Sequence, residues 1–360
     1  MENTDRVPAE MGNITDPLTK KKLSALGYIH ASSDGSDNLS GWELHLPVLQ
    51  YPYLEELIAD IKKILNQPEL EIGIKEMNEE EIKTFVETLK ADNLSLIGSD
   101  KGSMTQVVAV ASGKGGVGKS SVTVNLAISL ARAGKSVAIL DADIYGFSIP
   151  RMLGVTKSPI VVGGLVIPPV SYDVRCISMG FFVEEDVAIA WRGPMLHKTL
   201  EQFVTEVYFG SPDYLLIDMP PGTGDVALSM SQHLGSMEVV IVTTPQLSAQ
   251  KVAQRAGALA EQLKLPIKGV IENMSYFTAD DGKRYEIFGS GGGKDLAEKF
   301  DVPLLGQIPI VISSEMGLDE GYPMSACRPD SEVAAIYKDI AAALITMRPR
   351  KIYKSELKVN

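Results

Sequence analysis

Gly113-Lys114-Gly115-Gly116-Val117-Gly118-Lys119-Ser120 is the stretch that decides the fold. It fits G-x-x-x-x-G-K-[ST], with Gly113 first, then Gly118, Lys119 and Ser120. An apolar run at 107–110 precedes it and predicts a buried strand. Residues 122–130 follow with a helical pattern. Glycines between a strand and a helix let the backbone turn tightly and aim several N–H groups at one point. The helix start adds partial positive charge, so an anion is favoured there. On this reading Gly113 to Ser120, with Ser121, line a nucleotide triphosphate. Lys119 reaches the β- and γ-phosphates, and the Ser120 hydroxyl ligates Mg²⁺.

Lys114 adds to this. Lys-Gly-Gly-Val-Gly-Lys-Ser resembles the deviant phosphate loop of the MinD, ParA and nitrogenase-iron-protein ATPases. In that group the early lysine crosses a dimer interface to the other subunit's nucleotide. The resemblance implies a catalytic role for Lys114 and a homodimer, in which hydrolysis is tied to association.

Working outward, strands are expected at 107–111, Val137–Asp141, Val174–Ser178, Tyr214–Asp218, 238–243, 267–273 and Leu304–Gln307, with helices such as 249–263 between them. Near-continuous apolar strands joined by helices predict an α/β fold, a doubly wound and mainly parallel sheet. Ligands in such sheets bind beyond the carboxyl ends of the strands. The second strand ends Asp141-Ala142-Asp143. Two acids at a strand end can hold Mg²⁺ through water and orient the attacking water; the resemblance to the deviant-loop ATPases implies the hydrolytic role for Asp143 and support of Mg²⁺ or the loop for Asp141, although paired aspartates also cap turns. Apolar residues running into Asp218 predict a second Mg²⁺ ligand. The segment 219–225 then alternates stiff prolines with glycines, as a switching loop or a plain turn does. Asn273 ends a strand, and the resemblance to related ATPases implies that it reads the adenine edge, a task an amide suits, with Pro309 in a segment that resembles the loop over the base. An asparagine at a strand end is otherwise an ordinary turn former. The four histidines suggest no metal site.

The chain has 360 residues and a formal net charge of −12. That size suits a large domain plus a smaller one. The acidity argues against nucleic acid as partner. No apolar run approaches the ~18 residues of a membrane span. Residues 1–16 are polar and lack the apolar core of a signal peptide. Two distant cysteines, Cys176 and Cys327, form no disulfide framework, which suits the cytoplasm. The expected organisation is disorder over 1–16, a small α+β domain over 17–90, a linker over 91–104, the P-loop domain over 105–348 and a tail over 349–360. Within the small domain, strands are expected at 26–31, 42–48 and 70–74, with a polar turn at 32–38. Helices are expected at 54–65 and 79–89.

Further motifs occur in order. These are Asp141-Ala142-Asp143-Ile144-Tyr145-Gly146, Trp191-Arg192-Gly193-Pro194-Met195, Asp218-Met219-Pro220-Pro221-Gly222-Thr223-Gly224-Asp225, Glu272-Asn273-Met274-Ser275-Tyr276 and the glycine run at 288–293. Together they resemble the Mrp/ApbC iron–sulfur cluster carrier ATPases, and the N-terminal unit resembles the MIP18-like domain often fused to them. The resemblance implies an ATP- and Mg²⁺-dependent homodimer that delivers Fe–S clusters to apoproteins. In that family the cluster ligands are a C-x-x-C pair shortly after the Asn-Met-Ser-Tyr segment. Here residues 277–285 hold no cysteine, and Asp280 and Asp281 are hard oxygen donors. Cys176 falls on an expected core strand. Cys327, in a late loop, supplies at most one thiolate per subunit. The alternatives are a MinD/ParA-like positioning ATPase and a nucleotide-gated adaptor without cluster. Residues 347–354 are basic, but Pro349 argues against an amphipathic membrane helix.

Overall fold

A computed structural model of the chain describes residues 9–31, 42–93, 105–143, 146–182, 193–222, 224–234, 237–311 and 321–347. The expected turn at 32–38, most of the expected linker, the tail over 349–360, and the motif residues Ile144, Tyr145, Trp191, Arg192 and Thr223 lie outside the described residues. From the N-terminus the elements are α1 (Ala9–Gly12), α2 (Leu23–Leu26), β1 (Ile29–Ala31), β2 (Trp42–Leu46), α3 (Leu54–Ile64), β3 (Gly73–Glu76) and α4 (Glu79–Asn93). Then come β4 (Gln106–Ser112), α5 (Lys119–Arg132), β5 (Val137–Asp141), α6 (Ile149–Met152), β6 (Ile160–Val162), β7 (Leu165–Ile167), β8 (Val170–Ser171) and β9 (Val174–Ser178). The series continues with α7 (Gly193–Glu206), β10 (Tyr214–Asp218), α8 (Gly224–His233), β11 (Met237–Thr243), α9 (Leu247–Gln262) and β12 (Ile267–Glu272). It closes with β13 (Phe277–Thr278), β14 (Arg284–Tyr285), α10 (Gly292–Lys299), β15 (Leu304–Gln307), α11 (Met324–Cys327) and α12 (Glu332–Thr346).

Two compact units result. The first joins Met1–Leu94 with Lys157–Val170 and Glu206–Gly210; the rest of the chain forms the second. The expected P-loop range 105–348 is therefore interrupted twice by segments that fold with the N-terminal unit. Chemistry explains the first insertion. The β6–β7 hairpin buries Val162, Leu165 and Ile167 in the same core as Leu44, Leu57, Phe85 and Leu89.

The small unit carries the sheet β1-β2-β3, in which β1 and β2 run antiparallel and β2 and β3 parallel. Disorder over 1–16 is corrected for residues 9–16. Met11 and Ile14 are core residues, and buried Asp16 accepts bonds from the Thr19 backbone N–H and hydroxyl at 2.7 and 2.6 Å. The expected strand 26–31 starts only at Ile29, because α2 ends at Gly27 in the left-handed conformation, φ 67°. The expected strand 70–74 lies at Gly73–Glu76 instead. Leu70 is buried as a turn residue, so its hydrophobicity reports the core and not a strand.

The large unit is built on an eight-stranded sheet, β15-β12-β11-β4-β10-β5-β9-β8. Every registered pair from β15 through β9 is parallel. Strands β5, β9, β10 and β12 are buried at every residue, as a sheet covered on both faces requires. Helix α5 sinks Val122, Val124, Leu126, Ile128 and Leu130 into that core. Parallel strands put all their carboxyl ends on one edge, so Ser112, Asp141, Asp218, Thr243 and Glu272 end there together. Register places Asp218 level with Asp141 on β5 and with Val110 on β4.

Leu216, fully buried on β10 between β4 and β5, anchors this core. Leu216→Ala is expected to cost about 2–5 kcal/mol, the usual range for a buried leucine truncation. Denaturant unfolding monitored by circular dichroism measures it, and a change under 1 kcal/mol would contradict the packing described.

Candidate nucleotide site

The site begins where β4 stops. Gly116 and Gly118 take φ of 78° and 79°, a region that L side chains rarely adopt. Two glycines are also required for space. A Cβ on Gly113 would meet the α9 backbone at Val252 at 2.2 Å, and one on Gly118 would meet the Asn273 amide at 2.2 Å. Gly115 and Gly116 are exposed, whereas Val117 plugs into the core. The loop is thus clamped at both ends and open at its crest.

Asp218 organises the floor. Its buried carboxylate meets the Lys119 ammonium at 2.6 Å. It accepts hydrogen bonds from Ser120 Oγ at 2.6 Å and from Thr123 Oγ1 at 2.8 Å. A carboxylate removed from water needs such partners. Lys119 Nζ also lies 3.5 Å from Ser120 Oγ, so ammonium, hydroxyl and carboxylate form one cluster. Thr123 was not among the expected residues. Its signal was there: it lies four residues after Lys119, on the same face of α5.

Asp141 and Asp143 differ in their surroundings. Asp141 is fully buried; it accepts from the Asp143 N–H at 3.2 Å, the Ile149 N–H at 3.4 Å and Ser178 Oγ at 3.0 Å. It braces the loop leading to α6. Burial, with the neighbouring Asp218 carboxylate second, pushes its carboxyl up to about 7. Asp143 lies two residues beyond β5 and is buried, with its carbonyl accepting from the Gly146 N–H at 3.4 Å.

Lys114 Nζ donates to Gln246 Oε1 at 3.2 Å, and the Ser112 hydroxyl donates to the Lys114 carbonyl at 3.1 Å. Ser121 is half-buried one residue further into α5. The switch-like segment reaches the loop too, since the Gly222 N–H donates to the Ser112 carbonyl at 3.3 Å. Asn273 Nδ2 donates to the Val117 carbonyl at 2.9 Å, so its amide secures the phosphate loop. Pro309 comes alongside through Ile308, whose N–H donates to the Glu272 carbonyl and whose carbonyl accepts from the Ser275 N–H, both at 2.8 Å. Glu272 supports this corner by accepting from Gln307 Nε2 at 2.8 Å. Sequence reasoning missed Glu272 because a buried carboxylate in an apolar strand shows no spacing pattern.

These donors suit Mg²⁺ and a triphosphate. Ser120 Oγ and Asp218 Oδ2 are hard oxygens side by side. The cysteines do not suit a cluster. Burial raises the Cys176 thiol well above the usual range, and it faces no solvent. Cys327 is exposed at the end of α11, not in a loop as expected, with Tyr172 Oη 3.7 Å away. The segment 277–285 folds as the β13–β14 hairpin, in which Arg284 covers the Tyr276 ring at 4.3 Å and pairs with Glu332 at 3.1 Å.

A glycine loop between a parallel strand and a helix, with lysine, serine and a strand-end aspartate converging below it, defines a P-loop nucleotide-binding protein. The family profile described as ParA, the NUBPL iron-transfer P-loop NTPase, matches residues 103–345. The chain is 40% identical over 350 residues to the iron-sulfur cluster carrier protein of Mycobacterium bovis, covering 94% of this chain and 92% of that one. It is 44% identical over 289 residues to the carrier protein of Bacillus subtilis, covering 80% and 81%. Among solved structures, a nucleotide-binding protein from Archaeoglobus fulgidus in complex with ADP superposes with a TM-score of 0.52 at 32% identity, covering 71% of this chain and 91% of that one. The chain belongs to the iron-sulfur cluster carrier family of iron-transfer P-loop NTPases. No helix among the described residues is long and apolar enough to cross a membrane.

Two outcomes follow from the geometry. Asn273→Ala removes the tether on Val117 and is expected to weaken nucleotide binding about tenfold or more, in line with the ~1–3 kcal/mol of a buried hydrogen bond left unmade. Calorimetric titration with ADP reads it. Asp141 holds a proton in the folded chain, between its ordinary 3.8 and about 7, that the unfolded chain releases. Without Mg²⁺, its contribution to stability therefore falls as pH rises through that window and levels off above it. Asp141→Asn should flatten that slope in pH-dependent urea unfolding; an unaltered slope would refute the assignment.

Proposed function

We propose that the chain binds and slowly hydrolyses ATP as a homodimer and serves the assembly or transfer of iron–sulfur clusters to apoproteins in the cytoplasm. The observation that carries the nucleotide half is the Lys119–Asp218–Ser120 cluster under an open glycine loop. Membership of the carrier family supports the cluster half. Mg²⁺ held by Ser120 and Asp218 would neutralise charge on the β- and γ-phosphates. Lys119 leaves Asp218 for the phosphates, so the ammonium exchanges one anion for another without being stranded. Asp143, two residues beyond β5, orients the attacking water. Lys114 reaches across to the twin's nucleotide and gives up Gln246 to do so. Asn273 and Pro309 flank the base. Asp141 stays beneath as a brace.

The cluster is cargo here, and its ligand set departs from the family's. Fe–S clusters are held by four thiolates, and the β13–β14 hairpin offers none. Cys327 from each of two subunits supplies two at most. The reading is therefore an ATPase acting in cluster biogenesis, whether or not this chain holds the cluster itself. A positioning ATPase of MinD or ParA type is not favoured, because the extended relatives are carriers.

Hydrolysis by purified protein is expected to vanish in Lys119→Ala and to drop about 10²-fold or more in Asp143→Ala, as for removal of a water-orienting group. Lys114→Ala should lose turnover while keeping most nucleotide affinity. Phosphate release and calorimetry give the two readouts. Full activity in any of these variants would overturn the corresponding role. Iron and sulfide analysis after anaerobic reconstitution, with Cys327→Ala beside the parent, tests the cargo; loss of the chain without effect on Fe–S enzymes would remove the carrier role.

A further inference from the structure

Two of the chain's four histidines meet ring on ring in the small unit. His30 on β1 and His45 on β2 stack with centroids 3.8 Å apart and planes 20° from parallel. Register explains the meeting. His30 faces Glu43 across the antiparallel pair, and His45 lies two residues further along β2, on the same face. The alternate residues Leu44 and Leu46 point into the core. Helix α4 brings Glu81 over this polar face. Glu81 Oε1 lies 2.8 Å from His45 Nδ1 and 3.5 Å from His30 Nε2. One ligand atom from each of the three residues lies within 4.8 Å of the others. We propose that His30, His45 and Glu81 form a binding site for a divalent first-row transition metal ion.

Distance favours it. Donors around a tetrahedral ion at bond lengths of about 2.1 Å stand roughly 3.4 Å apart, so this trio needs only small adjustments. The Gly27 carbonyl oxygen, 2.9 Å from His30 Nε2, is a fourth donor within reach. The carboxylate is held in place from behind. Glu81 Oε2 accepts from the Asn78 N–H at 2.8 Å, while Asn78 Oδ1 caps the helix by accepting from the N–H groups of Glu80 and Glu81, both at 3.0 Å. This reciprocal capping box presents Oε1 to the histidines.

The outer surroundings of His45 match a ligand as well. Its Nε2 is buried without a hydrogen-bond partner. The nearest carboxylate, Glu43 Oε2, is 3.7 Å away and is held by Lys75 at 2.7 Å. A metal on Nδ1 fixes the ring proton on Nε2, facing Glu43, which is the carboxylate–histidine–metal arrangement of built sites. A plain His45–Glu81 hydrogen bond accounts for one contact. The second imidazole nitrogen, His30 Nε2, lies 2.9 Å from the Gly27 carbonyl and 3.5 Å from the same Glu81 oxygen, and a metal ion bound there takes the place of the ring proton.

The donor set names the class of ion. Two imidazoles and one carboxylate suit Zn²⁺ or Fe²⁺, whereas Mg²⁺ and Ca²⁺ prefer oxygen alone. Three protein ligands leave coordination positions for water, so the ion exchanges. The site shares no residue with the nucleotide cluster and uses no thiolate, so it stands or falls apart from the proposed function.

The test titrates the full chain with Co²⁺ in excess Mg²⁺, which keeps the hard-oxygen site of the P-loop occupied. One equivalent should bind per chain, with visible bands of a nitrogen–oxygen site and no thiolate charge-transfer band. Zn²⁺ and Fe²⁺ should displace it. His30→Asn, on the exposed rim, and Glu81→Gln, which keeps the capping box, should each weaken binding at least tenfold. Glu43→Gln should weaken it by about 10–100-fold through the ring proton. Cys327→Ser should change nothing. Unchanged binding in the His30→Asn/His45→Ala double variant, absence of saturable Co²⁺ uptake, or loss of uptake in Cys327→Ser would each overturn the proposal. Retained ADP binding and circular dichroism show that the variants fold.

Discussion

The buried carboxylate of Asp218 is the constraint on which the large unit turns. A charge at the end of a fully buried strand must be met from within the protein. Lys119, Ser120 and Thr123 meet it from the first turn of α5, with three contacts between 2.6 and 2.8 Å. The helix start is thereby fixed to β10, and the glycine loop feeding that helix is held in its anion-ready shape. Nothing in β4 alone would do this. The loop's other supports, Asn273 at Val117 and α9 at Gly113, hold it from the opposite side. Under the proposed function, Lys119, Ser120 and Asp218 are also the groups that a magnesium-bound triphosphate would engage, so binding would exchange partners without stranding a buried charge.

Asp141 shows how position in one sheet separates two aspartates of similar sequence context. It sits level with Asp218 on the next strand, and two carboxylates there cannot share one lysine cheaply. Its site therefore favours the neutral form and uses it as a hydrogen-bonded brace for the loop to α6. Asp143, two residues on and beyond the strand end, is buried as well, and its backbone N–H is one of the donors to Asp141.

The hairpin after β12 stands where the family resemblance implies a C-x-x-C pair. Where thiolates are expected by resemblance, an arginine lies over a tyrosine ring and pairs with a glutamate from α12. Guanidinium, phenol and carboxylate form a self-satisfied set that leaves no soft ligand for iron. The N-terminal unit meanwhile gathers imidazole and carboxylate on one face of its sheet. Metal-binding potential in this chain resides in nitrogen and oxygen donors more than in sulfur.

Sequence by itself determined the α/β class, the phosphate loop and the strands β5, β9, β10 and β15, all of which appear at the expected residues. The physical reason is local. A strand buried on both faces must be apolar throughout, and a tight anion loop must be glycine-rich, so each announces itself in a short window. Only the tertiary structure decided the rest. Order at residues 9–16, the shift of β3, the enlistment of the β6–β7 hairpin by the small unit, the Asn273–Val117 tether and the meeting of His30, His45 and Glu81 all join residues distant in the chain. Such contacts depend on how faces pack against one another, and no window of neighbouring residues contains that information.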